Sequence, residues 1–272
     1  MKDIRPEQER ISVVINTYNA ERLLSRVLQT VSDFDEVVVC DMESTDRTVE
    51  IAQRHGCRVV TFAKGSHKSA EPARTFAIQS AVNPWVLVVD ADELVTPELR
   101  DYLYALVRRA DAPRGLYVAR SNLFMHRRMR SSWPDYQLRF FVREGTVWPP
   151  YVHTFPIVEG RIGYTPRRNR RLALMHLADD SMQTIVRKTN QYTDNEVQKH
   201  PNRYGLFDLW WRPKWRFFRY YWLKGGFRDG KEGYISAKCD AYYQFVAVSK
   251  CFEQHKNENM ETSSGIASET LD

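Results

Sequence analysis

Short apolar runs rich in β-branched residues recur along the first ninety positions, each followed by polar residues and then by a stretch of helical period. The runs fall at 11–15, 36–40, 58–62 and 85–89. They are too short and too uniformly apolar for amphipathic helices, and they predict strands buried on both faces. Between them, Leu23, Leu24, Val27 and Leu28 repeat at helical spacing within 20–30. Residues 45–55 read as a helix closed by Gly56, and 71–82 as another. Thr96-Pro97-Glu98 is a helix start, with a capping hydroxyl, proline at the first helical position and an acid in the first turn. Strands alternating with helices of this length imply right-handed crossovers and a parallel sheet with helices on both faces.

In such sheets ligands collect at the carboxyl ends of the strands. Three of those ends carry polar clusters: Asn16 to Asn19 after the first strand, Asp41 after the second, and Asp90-Ala91-Asp92-Glu93 after the fourth. Three carboxylates within four residues repel one another unless a cation or a positively charged partner lies among them. The usual phosphate cradles are missing, since no G-x-G-x-x-G follows the first strand and no G-x-x-x-x-G-K-[ST] occurs. That leaves a diphosphate held through a metal, for which an Asp-x-Asp at a strand end supplies hard oxygen ligands suited to Mg²⁺ or Mn²⁺. In isolation the same tripeptide reads as a solvated acidic turn. Its place after the fourth strand of this alternation favours the metal.

Charge and composition sharpen the picture. The 272 residues are 43% hydrophobic and 12% aromatic, enough for one large domain or one with an appendage. The formal charge is +6, and arginines crowd residues 120–171 and 203–231, which points to an anionic partner. The opening MKDIRPEQER is too charged for a signal peptide, and no apolar run approaches ~18 residues. Cys40, Cys57, Cys239 and Cys251 show no metal-type spacing and suit a reducing cytoplasm. Residues 204–222 intermix four tryptophans with Arg212, Lys214, Arg216 and Arg219, a composition suited to a helix lying in an anionic membrane interface. It could also stack on single-stranded nucleic acid, or pack on the sheet with its arginines solvated. A glycine-broken turn then leads to a last helix over 235–252, and the polar residues from 253 onward predict a disordered tail.

Several stretches together carry a resemblance. "SVVINTYNAERLL", "VVVCDMESTDRTVEIAQRHGCRVV", "EPARTFAIQSA" and "WVLVVDADE" are similar to the nucleotide-binding half of family 2 glycosyltransferases, which have the GT-A fold. "WPDYQLRFF", "VHTFP", "MHLADD" and "NQYTDNE" resemble a bacterial branch that assembles the lipopolysaccharide core and related surface glycans. The resemblance covers roughly residues 10–250, and the ordered combination is specific where each motif alone is not. It implies an N-terminal arm over 1–10 and a GT-A catalytic domain over 11–200, with a nucleotide-binding half to 93 and an acceptor half beyond. A helical, membrane-proximal extension over 201–252 and the tail follow.

The resemblance also implies roles. Thr17 would line the nucleotide pocket, and Asp41 would accept a hydrogen bond from a uracil-type imide or, on the alternative reading, cap a turn. Arg74 would face the base or the diphosphate, or else form an ion pair with Glu71 or Asp46. Asp90 would contact ribose and metal, Asp92 would bind the metal, and His176 or His153 would complete its shell or steady the diphosphate. Glu93 reads equally as a structural acid. Two positions depart from the family pattern. The usual Asp-x-Gly-Ser reads Asp41-Met42-Glu43-Ser44, and Thr75 stands where asparagine is usual.

Loss of a nucleoside diphosphate from an anomeric carbon needs cationic stabilisation, and the attacking hydroxyl needs a carboxylate to take its proton. Asp135, after Trp133-Pro134 and before an alternating strand over 137–142, is the candidate base, against a role as a turn cap. Arg139 on that strand would aim at the diphosphate or pair with Asp135 or Glu144. The expected reaction is inverting transfer from a nucleoside-diphosphate sugar, UDP-type, to a glycan or lipid-linked acceptor at the inner face of the cytoplasmic membrane, with no nucleic acid partner. A nucleotidyltransferase, disfavoured by the missing glycine-rich loop, and a non-catalytic nucleic-acid- or membrane-binding protein are the alternatives.

Overall fold

The computed structural model describes residues 5–67, 69–151, 154–177, 181–199 and 204–269. The four apolar runs form strands β1 (Ile11–Thr17), β2 (Glu36–Asp41), β3 (Arg58–Thr61) and β4 (Trp85–Asp90). The intervening repeats form helices α1 (Glu21–Val31), α2 (Thr48–Arg54) and α3 (Glu71–Ser80). β1 is central, parallel to β2 on one side and β4 on the other, and every one of its residues is buried. The alternation of its side chains supplies two cores. Val13 and Ile15 pack with Leu24, Val27 and Leu28 of α1, while Val14 packs with Ala73, Ala77 and Ile78 of α3. Burial on both faces is why β1 and β4 read as continuous apolar runs rather than alternating ones.

Beyond β4 the sheet becomes mixed. β5 (Glu93–Val95) leads into α4 (Pro97–Val107), whose N-cap Thr96 accepts a hydrogen bond from the Leu99 amide at 3.3 Å. There follow β6 (Gly115–Phe124), β7 (Arg127–Arg128), β8 (Asp135–Val142), β9 (Ile162–Tyr164) and β10 (Ala173–His176). The strand order is β3-β2-β1-β4-β8-β6-β10-β5, with β7 and β9 also paired to β6. β8 runs antiparallel to both β4 and β6, and β10 parallel to β6. Trp85 stacks on Phe140 across the β4–β8 seam, with ring centroids 5.1 Å apart. The topology is that of an α/β GT-A fold, as expected.

Three helices complete the chain: α5 (Met182–Lys199), α6 (Leu206–Phe218) and α7 (Gly230–Glu269). The chain divides into two compact units, Met1–Asn122 with Trp133–Leu177 and Leu123–Ser132 with Ala178–Asp272. The second unit takes in the residues from 178 onward, where the resemblance implied an extension from 201. In the second unit Val197 and Tyr204 pack with Ala247, Val248 and Cys251 of α7. Gly233 is required there, because a Cβ would fall 1.9 Å from the Gly226 carbonyl oxygen. The helix running to Glu269 replaces the disordered tail expected from residue 253. The segment is polar but contains no proline, and a preformed helix propagates at little cost into such a sequence. Among the described residues no helix is long and apolar enough to cross a membrane.

Candidate active site

The carboxyl ends of β1, β2 and β4 lie side by side in the first unit, with Thr17 in register with Asp41 and Asn16 with Asp90. Thr17 Oγ1 donates to Asp41 Oδ1 at 3.0 Å. Asp41 also accepts from the Ser44 amide (2.8 Å) and hydroxyl (2.6 Å), so its carboxylate organises the β2–α2 turn from a buried position. Both readings of Asp41 therefore start from one geometry. Glu43, which stands where the family has glycine, has φ +60°. That is the left-handed region glycine enters freely and other residues enter at a cost. Its carboxylate accepts from the Lys64 amide at 3.1 Å, a local compensation for the strain.

The clustered acids of the β4 end are neutralised by guanidinium groups. Arg74 Nη2 of α3 donates to Asp90 Oδ1 at 2.9 Å, and Arg139 of β8 pairs with both Asp90 oxygens. Arg139 also approaches Glu93 at 3.9 Å, and Arg120 of β6 approaches Glu93 at 3.5 Å. Arg120 in turn grips Asp135 through Nε at 2.8 Å and Nη2 at 2.7 Å. A continuous chain of ion pairs thus runs from Arg74 through Asp90, Arg139, Glu93 and Arg120 to Asp135. The ion pairs of Arg74 and Arg139 correct those expected with Glu71, Asp46, Asp135 or Glu144: both arginines hold Asp90. Burial works to raise the Asp90 pKa, but the charges of Arg139 and Arg74 outweigh it and hold the carboxyl far below its usual range. Glu93 is fully buried, accepts the Asp90 amide at 3.0 Å, and has its pKa raised by burial and by the Asp90 charge. A side chain so enclosed serves as an internal brace, in keeping with the structural reading of Glu93.

Trp148 ties the arginines together from the other side. Its buried ring has the Arg74 guanidinium carbon 4.5 Å and that of Arg139 5.6 Å from its centroid. Thr75, the second departure from the family pattern, fixes this ring. Its hydroxyl donates to the Trp148 carbonyl at 2.8 Å and accepts from the Trp148 amide at 2.9 Å. Nε and Nη1 of Arg74, Nε of Arg139 and Nε1 of Trp148 are buried donors without a protein acceptor, and both amide atoms of Asn16 are also unpartnered. A concentration of unmatched donors suits an anionic, oxygen-rich ligand.

Asn122 joins the two ends of the acid cluster. Its Nδ2 donates to Asp135 Oδ2 at 3.1 Å, and its Oδ1 lies 3.0 Å from His176 Nδ1. An ionised Asp135 offers only acceptors, so the amide is oriented by it, and His176 Nδ1 must carry the proton. In the neutral ring Nε2 then presents a lone pair to Asp92 Oδ2, 3.3 Å away. Two lone pairs that close require a proton or a metal cation between them. Burial lowers the His176 pKa, but the hydrogen bond and charge of Asp92 outweigh it and raise the pKa. Among the described residues no group of three or more His, Cys, Asp or Glu side chains is placed to hold a metal. Asp92 and His176 provide a two-ligand start, which fits a divalent ion that takes its remaining ligands from water and phosphate. Asp90, also expected to bind metal, has both oxygens committed to arginines. His153 lies outside the described residues.

Asp135 opens β8 and is gripped by Arg120, Asn122 and Gln137, the last donating at 2.9 Å. Burial works to raise its pKa, but Arg120 and the two amides lower it below the usual carboxylate value. Sequence reasoning missed Arg120 and Asn122. The available signal was the run of polar residues at alternate positions of β6, pointing to one face of a strand otherwise rich in apolar residues.

The chain is similar to several known proteins. The chain is 27% identical over 264 residues to an uncharacterized glycosyltransferase of Rickettsia conorii, covering 90% of each protein. It is 27% identical over 267 residues to the lipopolysaccharide core biosynthesis glycosyltransferase LpsC of Rhizobium meliloti, covering 90% of this chain and 93% of LpsC. The crystal structure of S. aureus TarS 1–349 superposes with a TM-score of 0.49 at 13% identity, over 90% of this chain and 92% of that one. The family described as Glycosyl transferase family 2 matches residues 12–162, more than half of the chain, and the protein belongs to that family.

Proposed function

We propose that the protein transfers a sugar from a nucleoside-diphosphate sugar, of the uridine type, to a hydroxyl of a glycan or lipid-linked acceptor in surface-glycan assembly, inverting the anomeric configuration. The observation that carries this reading is that Asn122 links Asp135 to His176, which in turn meets Asp92, beside a guanidinium pair with unmatched donors. The likeness to LpsC, named for lipopolysaccharide core biosynthesis, supports the acceptor class.

Thr17 and Asp41 sit at the strand ends where a uracil base would be read, Asp41 accepting from the imide N–H. Arg74 and Arg139, positioned by Asp90 and Trp148, face the diphosphate and stabilise the charge that grows on it as the glycosidic bond breaks. Asp92 and His176 would hold Mg²⁺ or Mn²⁺, which when bound supplies further positive charge to the leaving diphosphate. Asp135, ionised because Arg120 keeps its pKa low, takes the proton of the acceptor hydroxyl as that oxygen attacks from the opposite face.

Calorimetric titration of UDP with and without Mn²⁺ tests the assignment. Wild-type protein should bind at least about tenfold more tightly with Mn²⁺, and Asp92→Asn should abolish that difference while leaving the melting temperature nearly unchanged. Equal Mn²⁺ dependence in the variant would remove Asp92 from the metal. Release of pyrophosphate from UTP and a sugar 1-phosphate, with no UDP released from a UDP-sugar, would overturn glycosyl transfer itself.

A further inference from the structure

α6 and the π-helical turn that follows it, Arg219–Leu223, have two unlike faces. One packs within the second unit. Phe217 and Tyr221 meet the Tyr234 ring edge-on at 5.6 and 5.8 Å, Arg216 pairs with Asp240 at 3.6 Å, and Leu209 joins the apolar cluster of α7. The other face carries Phe207, Trp210, Trp211, Trp215, Phe218 and Trp222 at three- and four-residue spacing, each between 40 and 70% exposed. Single exposed aromatics are ordinary, but six along one stripe of one helix demand a partner.

The charges on the same segment indicate which partner. Residues 206–228 contain six Lys and Arg and one acid, Asp208. Asp208 accepts from Arg212 at 2.7 Å, and Arg216 is held by Asp240. Lys214, Arg219, Lys224 and Arg228 are exposed and have no carboxylate partner among the described residues. They lie among the rings rather than opposite them: Lys214 Nζ is 3.7 Å from the Trp210 centroid and the Arg228 guanidinium 5.3 Å from that of Phe227. We propose that this face rests in the headgroup layer of an anionic phospholipid bilayer, the helix lying along the surface with its tryptophans at the interface.

Two features of the face favour lipid over other occupants. Three of the rings stack on one another, Trp211 on Trp215 at 5.7 Å and 15°, Trp215 against Phe218 at 5.9 Å and 28°, and Lys214 lies over Trp210. Ring faces already engaged in this way suit an interfacial layer better than they suit stacking with a nucleobase. A second copy of the chain would bring the same four unpaired cations against the first set. An anionic headgroup layer neutralises the cations while the tryptophan edges meet its apolar boundary. The inference stands on the second unit alone and does not depend on the reaction proposed above.

Sedimentation of the full chain with vesicles at low salt tests it. Vesicles of phosphatidylcholine with about 30% phosphatidylglycerol should retain the protein, and phosphatidylcholine alone should not. Replacing Lys214, Arg219, Lys224 and Arg228 together with Gln should weaken retention at least about tenfold with unchanged far-UV circular dichroism, and added salt should do the same to wild type. Trp211→Ala with Trp215→Ala should also weaken it, and bromine-labelled lipid should quench wild-type tryptophan emission. Failure of wild type to sediment with the anionic vesicles would overturn the proposal, as would equal retention by neutral vesicles or undiminished binding of the charge variant. Concentration-dependent self-association lost in the tryptophan variant would assign the face to a second copy instead. Oligonucleotide binding that displaces the protein from vesicles would assign it to nucleic acid.

Discussion

Asp135→Asn isolates proton transfer from everything else the site does. The carboxylate accepts four hydrogen bonds, two from Arg120 at 2.8 and 2.7 Å, one from Asn122 at 3.1 Å and one from Gln137 at 2.9 Å. An asparagine can keep its carbonyl toward Arg120 and Asn122, but its amide then meets the Gln137 amide donor to donor until Gln137 turns. Losing the charge-assisted character of the Arg120 contacts should cost about 2 kcal/mol, a fall of roughly 4–8 °C in melting temperature for a chain of this size. The variant thus remains folded at assay temperature. The proton of the acceptor hydroxyl has no acceptor, so kcat should drop about 10²–10⁴-fold, while UDP affinity changes less than about threefold. UDP release from a UDP-sugar, paired with calorimetry of UDP, separates the two. Near-normal turnover would end the case for Asp135 as base. Loss of UDP affinity along with turnover would make it a brace for the donor pocket.

The pKa of the same residue gives a second readout. A lowered carboxyl pKa contributes stability that is present above the unfolded value, about 3.9, and is lost as pH falls through the folded one. The melting-temperature gap between wild type and Asp135→Asn should be constant from about pH 5 to 8 and close below about pH 4. A gap that instead opened on acidification would contradict the ion pair with Arg120.

Glu93 should behave with the opposite sign. Its raised pKa contributes stability that is full below the unfolded value, about 4.3, and is lost as pH rises through the folded one, so in metal-free buffer Glu93→Gln should gain on wild type as pH rises from about 5. Glu93→Ala, which leaves the Asp90 amide and two guanidiniums without their inner partner, should cost about 2–4 kcal/mol, and a denaturation midpoint equal to wild type would refute the brace. Glu43→Gly relieves the left-handed backbone at the cost of the Lys64 contact and should raise stability by up to about 1 kcal/mol, read by thermal melting; a loss of that size would show that the contact outweighs the strain.

The parallel half of the sheet was legible because β1, β2 and β4 are largely buried and alternate with helices, so local pattern and global place coincide, while β3 at the edge kept the same apolar signature. Strand-end position then located Thr17, Asp41, Asp90 and Asp92, and the motifs located Asp135 and His176, all in the first unit. What links them was not legible. Arg120 and Asn122 reach Asp135 through β6–β8 pairing, and His176 reaches Asn122 and Asp92 through β10 lying between β6 and β5. These are register facts of strands far apart in the chain, and nothing in the spacing of residues 120, 135 and 176 announces them. The last helix failed for a different reason: lack of apolar periodicity argues against burial, which is not the same as arguing against helix.

The strand-end acids also show why an Asp-x-Asp need not act as one unit. In an extended strand, residues i and i+2 share a face, and Asp90 and Asp92 would compete for the same cation. Here β4 ends at Asp90, and Asp92 lies beyond it in the turn before β5. Asp90 stays between α3 and β8, where Arg74 and Arg139 saturate it. Asp92 is half-exposed and pairs with His176 from β10. The break in the strand therefore divides the pair. On the proposed reading, one acid would fix the permanent cations that face the diphosphate, and the other would keep lone pairs open to a cation that arrives with the substrate. Guanidiniums fixed in this way would do for the diphosphate what a glycine-rich loop does elsewhere with backbone amides, which would leave the loop after β1 free to carry Thr17, Tyr18 and Asn19.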